Sequence, residues 1–378
     1  MIYLDHAATT PVLPAAAQAA LAAMTQDFGN PSSLHSLGTT AAKAVAAQRE
    51  AVASALGCRG EELYFTSCGT EGDNWAVALA VHLGRHKGKH IITTAIEHAA
   101  VLEPCRALER EGYQVTYLRP DAQGRIPLAD LEAALRPDTV LVSMMLVNNE
   151  TGAIQPVAEA AALLRQKKSP ALLHTDAVQG FLKIPFTPKD LGADLLTVSG
   201  HKVGAPKGIG ALYIRAGLQV QPLLRGGGQE RGLRSGTEAT AQIAAFARAA
   251  QEGSEKLSDH QAYVQSLKDY ALETLPQAVP GLVVVAPGDA PHICAVSLPG
   301  YPSQVVVRYL SDKGICLSSG SACHKGKASH VYAAMKLSKA VRDGMLRLSF
   351  APSNTKAEVD TLAQALGQAT RELVSMGR

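Results

Sequence analysis

The stretch TVSGHKVGAPKGIGALYIR, residues 197–215, places two apolar segments on either side of a turn rich in glycine. The first segment, which begins three residues earlier as DLLTVS (194–199), is typical of a buried strand. The second, GALYIR (210–215), is typical of another strand. Ser199, His201 and Lys202 lie where the first strand ends. In open α/β sheets, ligands bind beyond the carboxyl ends of the strands. The turn is therefore part of the fold and also a candidate site.

Five more short apolar segments precede this turn, and helical patterns separate most of them. The segments are ELYFTS (62–67), HIITTA (90–95), QVTYL (114–118), TVLVSMML (139–146) and ALLHTD (171–176). Helical patterns include residues 40–56 and 71–83. Strands that alternate with helices are typical of a mostly parallel sheet covered on both faces. The sequence thus predicts an α/β domain with a mostly parallel seven-stranded sheet.

A second, smaller α+β domain is expected because 378 residues exceed the usual size of a single core. The pattern changes near residue 260, after the start of a long helix predicted from Ala239 to Leu275. The segments GLVVVAP, HICAVSL and MLRLSF follow as strands, with helices between and after them. We predict a large domain of residues 16–260 and a small domain of residues 1–15 and 261–378.

The composition excludes several classes of function. Apolar residues make up 47% of the chain and charged residues 18%, which fits a soluble globular protein. The net charge of +3, without a basic run, does not indicate direct nucleic-acid binding. No signal peptide or membrane span is visible, so we expect a cytoplasmic location and no membrane partner. The six cysteines show neither a Cys-x-x-Cys pair nor zinc-site spacing, so no metal site is expected.

Polar residues at two other strand ends indicate a ligand that carries both a negatively charged group and a positively charged group. In TSCGTEGDN, Gly69 and Thr70 open a helix, whose free amides suit a phosphate, although an ordinary helix cap is the commoner role. Asp176 follows a buried strand, where an unpaired carboxylate is costly. It therefore needs a donor or a cation, and Gln179 is close enough in sequence to bind the same ligand.

The turn after residue 198 supplies a possible nucleophile. A lysine placed like Lys202, after a buried strand, can lose its hydration and gain a nucleophilic amine. Ser199 and His201 add donors beside it, and His98 follows another strand. Pyridoxal 5'-phosphate needs a phosphate site, an acid opposite its ring nitrogen, and a lysine for a Schiff base. Each residue has a structural explanation singly, but together they predict this cofactor.

Across nearly its whole length, the sequence resembles the cysteine desulfurases, pyridoxal-phosphate enzymes of the class V aminotransferase group with fold type I. The matching motifs are YLDHAATT, NPSSLH, TSCGTEGDN, EHAAV, VNNETG, TDAVQ, SGHK, GGGQERGLRSGTE, SSGSAC and RLSF. The combination of SGHK with SSGSAC is highly specific, whereas NNETG alone is weak. The loop that carries SSGSAC resembles the long-loop branch of the family.

The resemblance implies a role for each matching residue. Lys202 holds the cofactor covalently, His98 stacks on its ring and moves protons, and Cys323 takes the sulfur. The implied cofactor-binding residues are Gly69, Thr70, His98, Asn149, Asp176, Gln179, Ser199, His201, Lys202 and Thr237. Thr237 acts across the interface of a homodimer. Asn149 and Arg347 bind the substrate, with Arg347 holding its carboxylate.

The implied reaction removes sulfur from L-cysteine, leaving L-alanine and a persulfide on Cys323. A sulfur-acceptor protein of an iron–sulfur cluster or tRNA thiolation pathway then receives the sulfur. The small residues around Cys323 predict a mobile loop at about 318–332, and neighbouring His324 favours its thiolate. The chain binds no metal by itself, although Cys323 could ligate an iron–sulfur cluster in transfer. The remaining cysteines, including Cys68 in the phosphate turn, are expected to be structural.

Two features depart from the family pattern, and two other functions stay open. His6 replaces the usual Asn, so we expect a local change in hydrogen bonding. The segment after Cys323 is unusually basic and includes His330. It is either a solvated loop or a surface that binds an acidic acceptor. The alternatives are a selenocysteine lyase or related class V aminotransferase, and a cofactor-free sulfur carrier or assembly component. The mobile thiol disfavours transamination, and the presence of Lys202, Asp176 and His98 disfavours the carrier.

Overall fold

The computed structural model describes residues 1–320 and 329–375. Its strands are β1 (Ile2–Tyr3), β2 (Leu63–Thr66), β3 (His90–Thr94), β4 (Gln114–Leu118), β5 (Thr139–Ser143), β6 (Leu172–Asp176), β7 (Leu195–Ser199), β8 (Gly210–Ile214), β9 (Val283–Ala286), β10 (Ile293–Ser297), β11 (Ile315–Cys316) and β12 (Met345–Ser349). Its α-helices are α1 (Pro14–Thr25), α2 (Ser36–Leu56), α3 (Gly69–Gly84), α4 (Ala99–Arg110), α5 (Leu128–Ala134), α6 (Val157–Gln166), α7 (Pro188–Leu191), α8 (Thr240–Glu255), α9 (Leu257–Ala278), α10 (Ser303–Asp312), α11 (His330–Ala334), α12 (Lys339–Asp343) and α13 (Lys356–Glu372).

A seven-stranded sheet in the order β2-β8-β7-β6-β5-β3-β4 forms the centre of the molecule. The strands from β7 to β4 run parallel, whereas β8 is antiparallel to both of its neighbours. Every residue of β5 and β7 is buried, as expected for strands covered on both faces. The predicted α/β fold with a mostly parallel seven-stranded sheet is confirmed.

Helices cover both faces of this sheet with separate apolar clusters. On one face, α1, α2 and α8 contribute Ala20, Val52 and Phe246 to a cluster with the strands. On the other face, Trp75 of α3 and Val101 of α4 pack with strand residues. Because the faces are occupied by helices, ligands can reach the sheet only at its ends. Among the described residues, no helix is long and apolar enough to cross a membrane.

A third apolar cluster joins the C-terminal elements to the start of the chain. It contains residues of α9, α10 and α13 packed against β10 and β12, and also Leu4. Strands β12, β10 and β9 form an antiparallel sheet, and β1 pairs in parallel with β11. The proposed division into residues 16–260 and residues 1–15 with 261–378 stays a prediction.

The single helix predicted from Ala239 to Leu275 is wrong, because two helices occupy this range. Helix α8 ends at Glu255 and α9 begins at Leu257, with Lys256 between them at φ −105° and ψ 7°. Gly253 and Ser254 lie in the last turn of α8, just before this break. Such glycine–serine pairs are a common place for a helix to bend or break. Helix α8 then packs in the first cluster, and α9 packs in the third.

Candidate active site

A cleft of about 230 Å³ opens at the carboxyl ends of the parallel strands. The residues that line it are Ala7, Ala8, Cys68, Gly69, Thr70, Asp73, His98, Met145, Asn149, Asp176, Val178, Gln179, Ser199, His201, Lys202 and Arg347. The structure therefore brings together the predicted site residues from six separate segments. A larger cavity of about 820 Å³, beside Arg59 and Asp194, holds none of them.

Helix α3 begins at one wall of the cleft, and its first turn fits an anion. The preceding residue, Cys68, is extended and gives no side-chain cap, so the first amides of the helix are not capped by it. Gly69 lets the start of α3 pack closely on Val178, because a Cβ at position 69 would lie 3.0 Å from a methyl group of Val178. The hydroxyl of Ser199 is buried at the same cleft, and it has no hydrogen-bond partner within residues 1–320 and 329–375. These donors suit a phosphate.

Lys202 follows β7 in a short 3₁₀ helix, Gly200–Lys202. Its Nζ donates to the carbonyl oxygens of Ala7 at 2.6 Å and Ala8 at 2.8 Å. The turn beyond it needs Gly204, whose φ of +87° is unfavourable for other residues. Lys202 is half-buried rather than fully desolvated. The first ten residues thus form the wall against which this amine is held.

His201, which precedes this lysine, is neutral in the cleft. Burial and the adjacent charge of Lys202 lower its pKa to about 4. Its Nδ1 lies 3.2 Å from the hydroxyl of Thr9. A neutral imidazole can still donate one hydrogen bond to an anion.

Asp176 ends β6 and is the strongest sign of a cationic ligand. Its carboxyl is 6% exposed, and Oδ1 accepts a hydrogen bond from the amide of Val178 at 2.9 Å. Burial, followed by the charge of neighbouring Asp73, raises its pKa. A cation beside the carboxylate would reverse this shift, and the protonated ring nitrogen of pyridoxal phosphate would be such a cation. The residues present fit this cofactor.

His98 is the N-cap of α4 and is fixed there by its own backbone. Its Nδ1 accepts from the amide of Ala100 at 3.2 Å, so the neutral ring carries its proton on Nε2. Below it, Glu97 is fully buried, and its Oε1 accepts from the Thr94 hydroxyl and the Met145 amide, each at 2.8 Å. Burial raises the pKa of Glu97 to about 8. Sequence reasoning missed this residue, although it is adjacent to His98.

Arg347 of β12 enters the cleft from the three-stranded sheet. It is 1% exposed, and it donates from Nη1 to the Asn149 carbonyl at 2.9 Å and from Nη2 to Asp5 at 2.7 Å. These contacts fix the plane of its guanidinium. Asp5 was not predicted as a partner, although it belongs to the YLDHAATT motif.

The adjacent asparagines have different environments. Asn148 shapes the turn, because its oxygen accepts from the amides of Glu150 and Thr151. Asn149 faces the cleft. Asn148 therefore has a structural role in the turn, whereas Asn149 is the one placed to contact a ligand.

Several predicted residues lie elsewhere. Thr237 is exposed and is not among the cleft residues. Cys323 and His324 lie outside the described residues. His330 is half-buried and contacts the carbonyl oxygen of Glu97 at 2.9 Å, so its ring faces inward rather than forming part of a solvated loop.

Cys68 and His6 lie in environments that the sequence did not predict. Cys68, expected to be structural, lines the cleft and is half-buried. His6 is buried edge-on against Tyr3, and in residues 1–320 and 329–375 neither of its ring nitrogens has a hydrogen-bond partner. Burial lowers its pKa to about 4, so the ring is neutral.

The cleft at one end of this sheet combines a lysine, a buried acid, a histidine and the start of a helix. This combination defines a class of protein. The family model for class-V aminotransferases matches residues 2–362, and the chain belongs to this family. Enzymes of this family depend on pyridoxal 5'-phosphate.

Among its relatives are proteins named cysteine desulfurase. The chain is 43% identical to cysteine desulfurase 2 of Trichormus variabilis, over 97% of this chain and 92% of that one. It is 39% identical to the cysteine desulfurase IscS of Methanosarcina thermophila, over 99% and 93%. The solved structure of a NifS-like protein superposes with a TM-score of 0.93 and 36% identity, covering 98% of this chain and all of that one. The predicted resemblance is confirmed.

Proposed function

We propose that this protein is a cysteine desulfurase that uses pyridoxal 5'-phosphate to remove sulfur from L-cysteine. The products are L-alanine and a persulfide on Cys323. The observation that carries the proposal is the cleft itself, where Lys202, Asp176 and His98 lie beside the start of α3 and the buried Ser199 hydroxyl, which has no partner in the described part of the chain. The relatives named cysteine desulfurase support the choice of substrate.

The proposed cofactor residues divide by the part of the group that they would hold. Gly69, Thr70, Ser199 and His201 would bind the phosphate, with Thr237 of a second copy. Asp176 would pair with the ring nitrogen, Gln179 would contact the ring oxygen, and Lys202 would hold the group covalently. When bound, pyridoxal phosphate supplies a sink for the electrons left when the substrate Cα proton is removed.

The other cleft residues would bind and orient the substrate. A guanidinium has five N–H groups, and in the described part of the chain Arg347 gives one to Asp5 and one to the Asn149 carbonyl. The others would bind the cysteine carboxylate. Asn149 would complete the substrate and cofactor contacts. The imidazole of His98 would carry protons at Nε2, since Nδ1 is held by the Ala100 amide. Cys323 would attack the substrate sulfur as a thiolate.

A homodimer is the proposed assembly. Thr237 is exposed outside the cleft of its own chain, as expected for a residue that serves a second copy. On α1, α2 and the segment between them, Leu21, Met24, Phe28 and Leu37 are large apolar side chains with at least 46% exposure. A sulfur-acceptor protein of the iron–sulfur or tRNA thiolation pathway is the proposed second partner. The cytoplasmic location stays a prediction.

Two cysteine variants test the proposal, because Cys68 is a thiol that lines the cleft. We expect Cys323→Ala to keep the cofactor chromophore and to lose persulfide formation with labelled cysteine, whereas Cys68→Ala keeps both. Lys202→Ala should lose the covalent chromophore. A persulfide mapped to Cys68, or covalent cofactor in the Lys202 variant, would refute the assignments.

A further inference from the structure

A buried hydrogen-bond chain runs from the cleft wall through Gln179 to His292, which is not among the residues that line the cleft. Gln179 is 5% exposed, and its Nε2 donates to the carbonyl oxygen of Ala7 at 2.9 Å. The same carbonyl accepts from Nζ of Lys202 at 2.6 Å. The other end of the amide, Oε1, lies 3.4 Å from Nε2 of His292, which is 2% exposed. His292 therefore connects through one side chain to the wall that holds Lys202.

The chemistry of the partners fixes the direction of each hydrogen bond. The Ala7 carbonyl can only accept, so it must face the NH₂ group of Gln179; a reversed amide would place two acceptors 2.9 Å apart. The oxygen of Gln179 then faces His292, and Nε2 of the ring must carry the proton that it donates. One N–H of the Gln179 amide is left for the cleft, whose wall this side chain lines.

The surroundings keep His292 as a donor with a single ring proton. Burial lowers its pKa well below the ordinary value, and the charges of Lys183, Lys268 and Arg347, with His6 nearby, act in the same direction. Lys268 also anchors the preceding residues, because its Nζ donates to the carbonyls of Gly288 and Ala290, each at 2.7 Å. The backbone that carries His292 is therefore held from a second side.

We propose that His292 is a positioning residue that holds the Gln179 amide so that its free N–H donates to the ring oxygen of the cofactor. The inference rests on the proposed function, because it uses the cofactor in this cleft. The hydrogen bond from His292 restrains the amide and polarises it, which strengthens the remaining N–H as a donor. A stronger donor at that position stabilises negative charge on the ring oxygen.

The test is a pH titration of the visible absorption of the bound cofactor, with His292→Leu compared with His292→Gln. Leucine cannot donate, whereas the amide nitrogen of glutamine can occupy the position of Nε2. Loss of the donor leaves the ring oxygen more basic, so its shared proton is held more tightly. We expect His292→Leu to raise the absorption midpoint by about half a pH unit, the scale of a weakened hydrogen bond to a charged group. His292→Gln should stay at the wild-type midpoint.

The Gln179→Leu variant separates the possible outcomes. It should shift the midpoint in the same direction by about one pH unit, and adding His292→Leu to it should produce no further shift. A wild-type midpoint in His292→Leu, with a shift in Gln179→Leu, would overturn the role of His292 and leave the proposed function intact. Absence of a bound chromophore in the wild-type protein would overturn the proposed function instead.

A folding defect in the leucine variant is handled by a second comparison. If His292→Leu does not fold, His292→Asn replaces it, because its amide reaches only the position of Nδ1. The asparagine variant should then show the raised midpoint, and equal midpoints for the asparagine and glutamine variants would overturn the proposal.

Discussion

Glu97 should make the protein lose stability as the pH rises, and Glu97→Gln should remove this loss. The carboxyl is fully buried, and burial raises its pKa from about 4.5 to about 8. The folded state therefore binds this proton more tightly than the unfolded state does, so its stabilising effect is complete below pH 4.5 and is lost as the pH rises to about 8. At about 1.4 kcal/mol per pH unit, the interval corresponds to roughly 5 kcal/mol at most.

Glutamine preserves the contacts that the neutral carboxyl makes. Its oxygen can accept from the Thr94 hydroxyl and the Met145 amide, as Oε1 of Glu97 does. In the described structure, Oε2 has no partner, so an amide nitrogen there breaks no hydrogen bond. The variant should thus match wild-type stability near pH 4 and exceed it increasingly up to pH 8.

The assay is the difference in melting temperature between Glu97→Gln and wild type, measured from pH 5 to pH 9 at equal cofactor loading. With an unfolding entropy of about 2 cal/mol/K per residue, the full difference corresponds to roughly 6 °C if the chain melts as one unit. Exposed Glu273 on α9 provides the control, since its replacement by glutamine should give no growing difference. A melting difference for Glu97→Gln that stays constant with pH would refute the reasoning.

Two further predictions concern the cleft. Arg347→Lys keeps the positive charge but loses the planar pair of N–H donors that binds a carboxylate at two points. The KM for cysteine should therefore rise by about tenfold or more, with a smaller change in kcat. An unchanged KM would contradict the proposed carboxylate contact. Alanine is a poorer choice at this position because it would leave Asp5 and the Asn149 carbonyl without their donor. Ser199→Ala should weaken cofactor binding by about fivefold to tenfold, measured by equilibrium dialysis, and unchanged affinity would mean that the buried hydroxyl does not contact the phosphate.

The sequence predicted the sheet well because its strands are short, rich in apolar residues and mostly separated by clear helical patterns. The strand segments around residues 62–67, 171–176 and 194–199 all became strands of the central sheet. The antiparallel direction of β8 was not specified, since direction depends on how the chain returns after the glycine-rich turn. The break at Lys256 was missed because both helices around it have continuous helical patterns, and Gly253 is the only strong local signal.

The site was predictable where a polar side chain follows a buried strand. Lys202, Asp176, Gln179 and His98 all line one cleft, because the carboxyl ends of parallel strands meet at one edge. Partners contributed by the backbone could not be predicted, since the carbonyls of Ala7 and Ala8 have no side-chain signal. Cys68 lines the cleft because its own backbone is extended just before α3, and this conformation is a property of the folded turn.

The wall formed by the first ten residues has a consequence for biosynthesis. Ile2 pairs with Ile315, Asp5 binds Arg347, and the carbonyl oxygens of Ala7 and Ala8 hold Lys202. Asp5 is synthesised 342 residues before its partner Arg347, and at about 5–20 residues per second the interval is tens of seconds. A nascent chain can fold its central sheet during this time, but the cleft gains the guanidinium of Arg347 only after that residue has been synthesised.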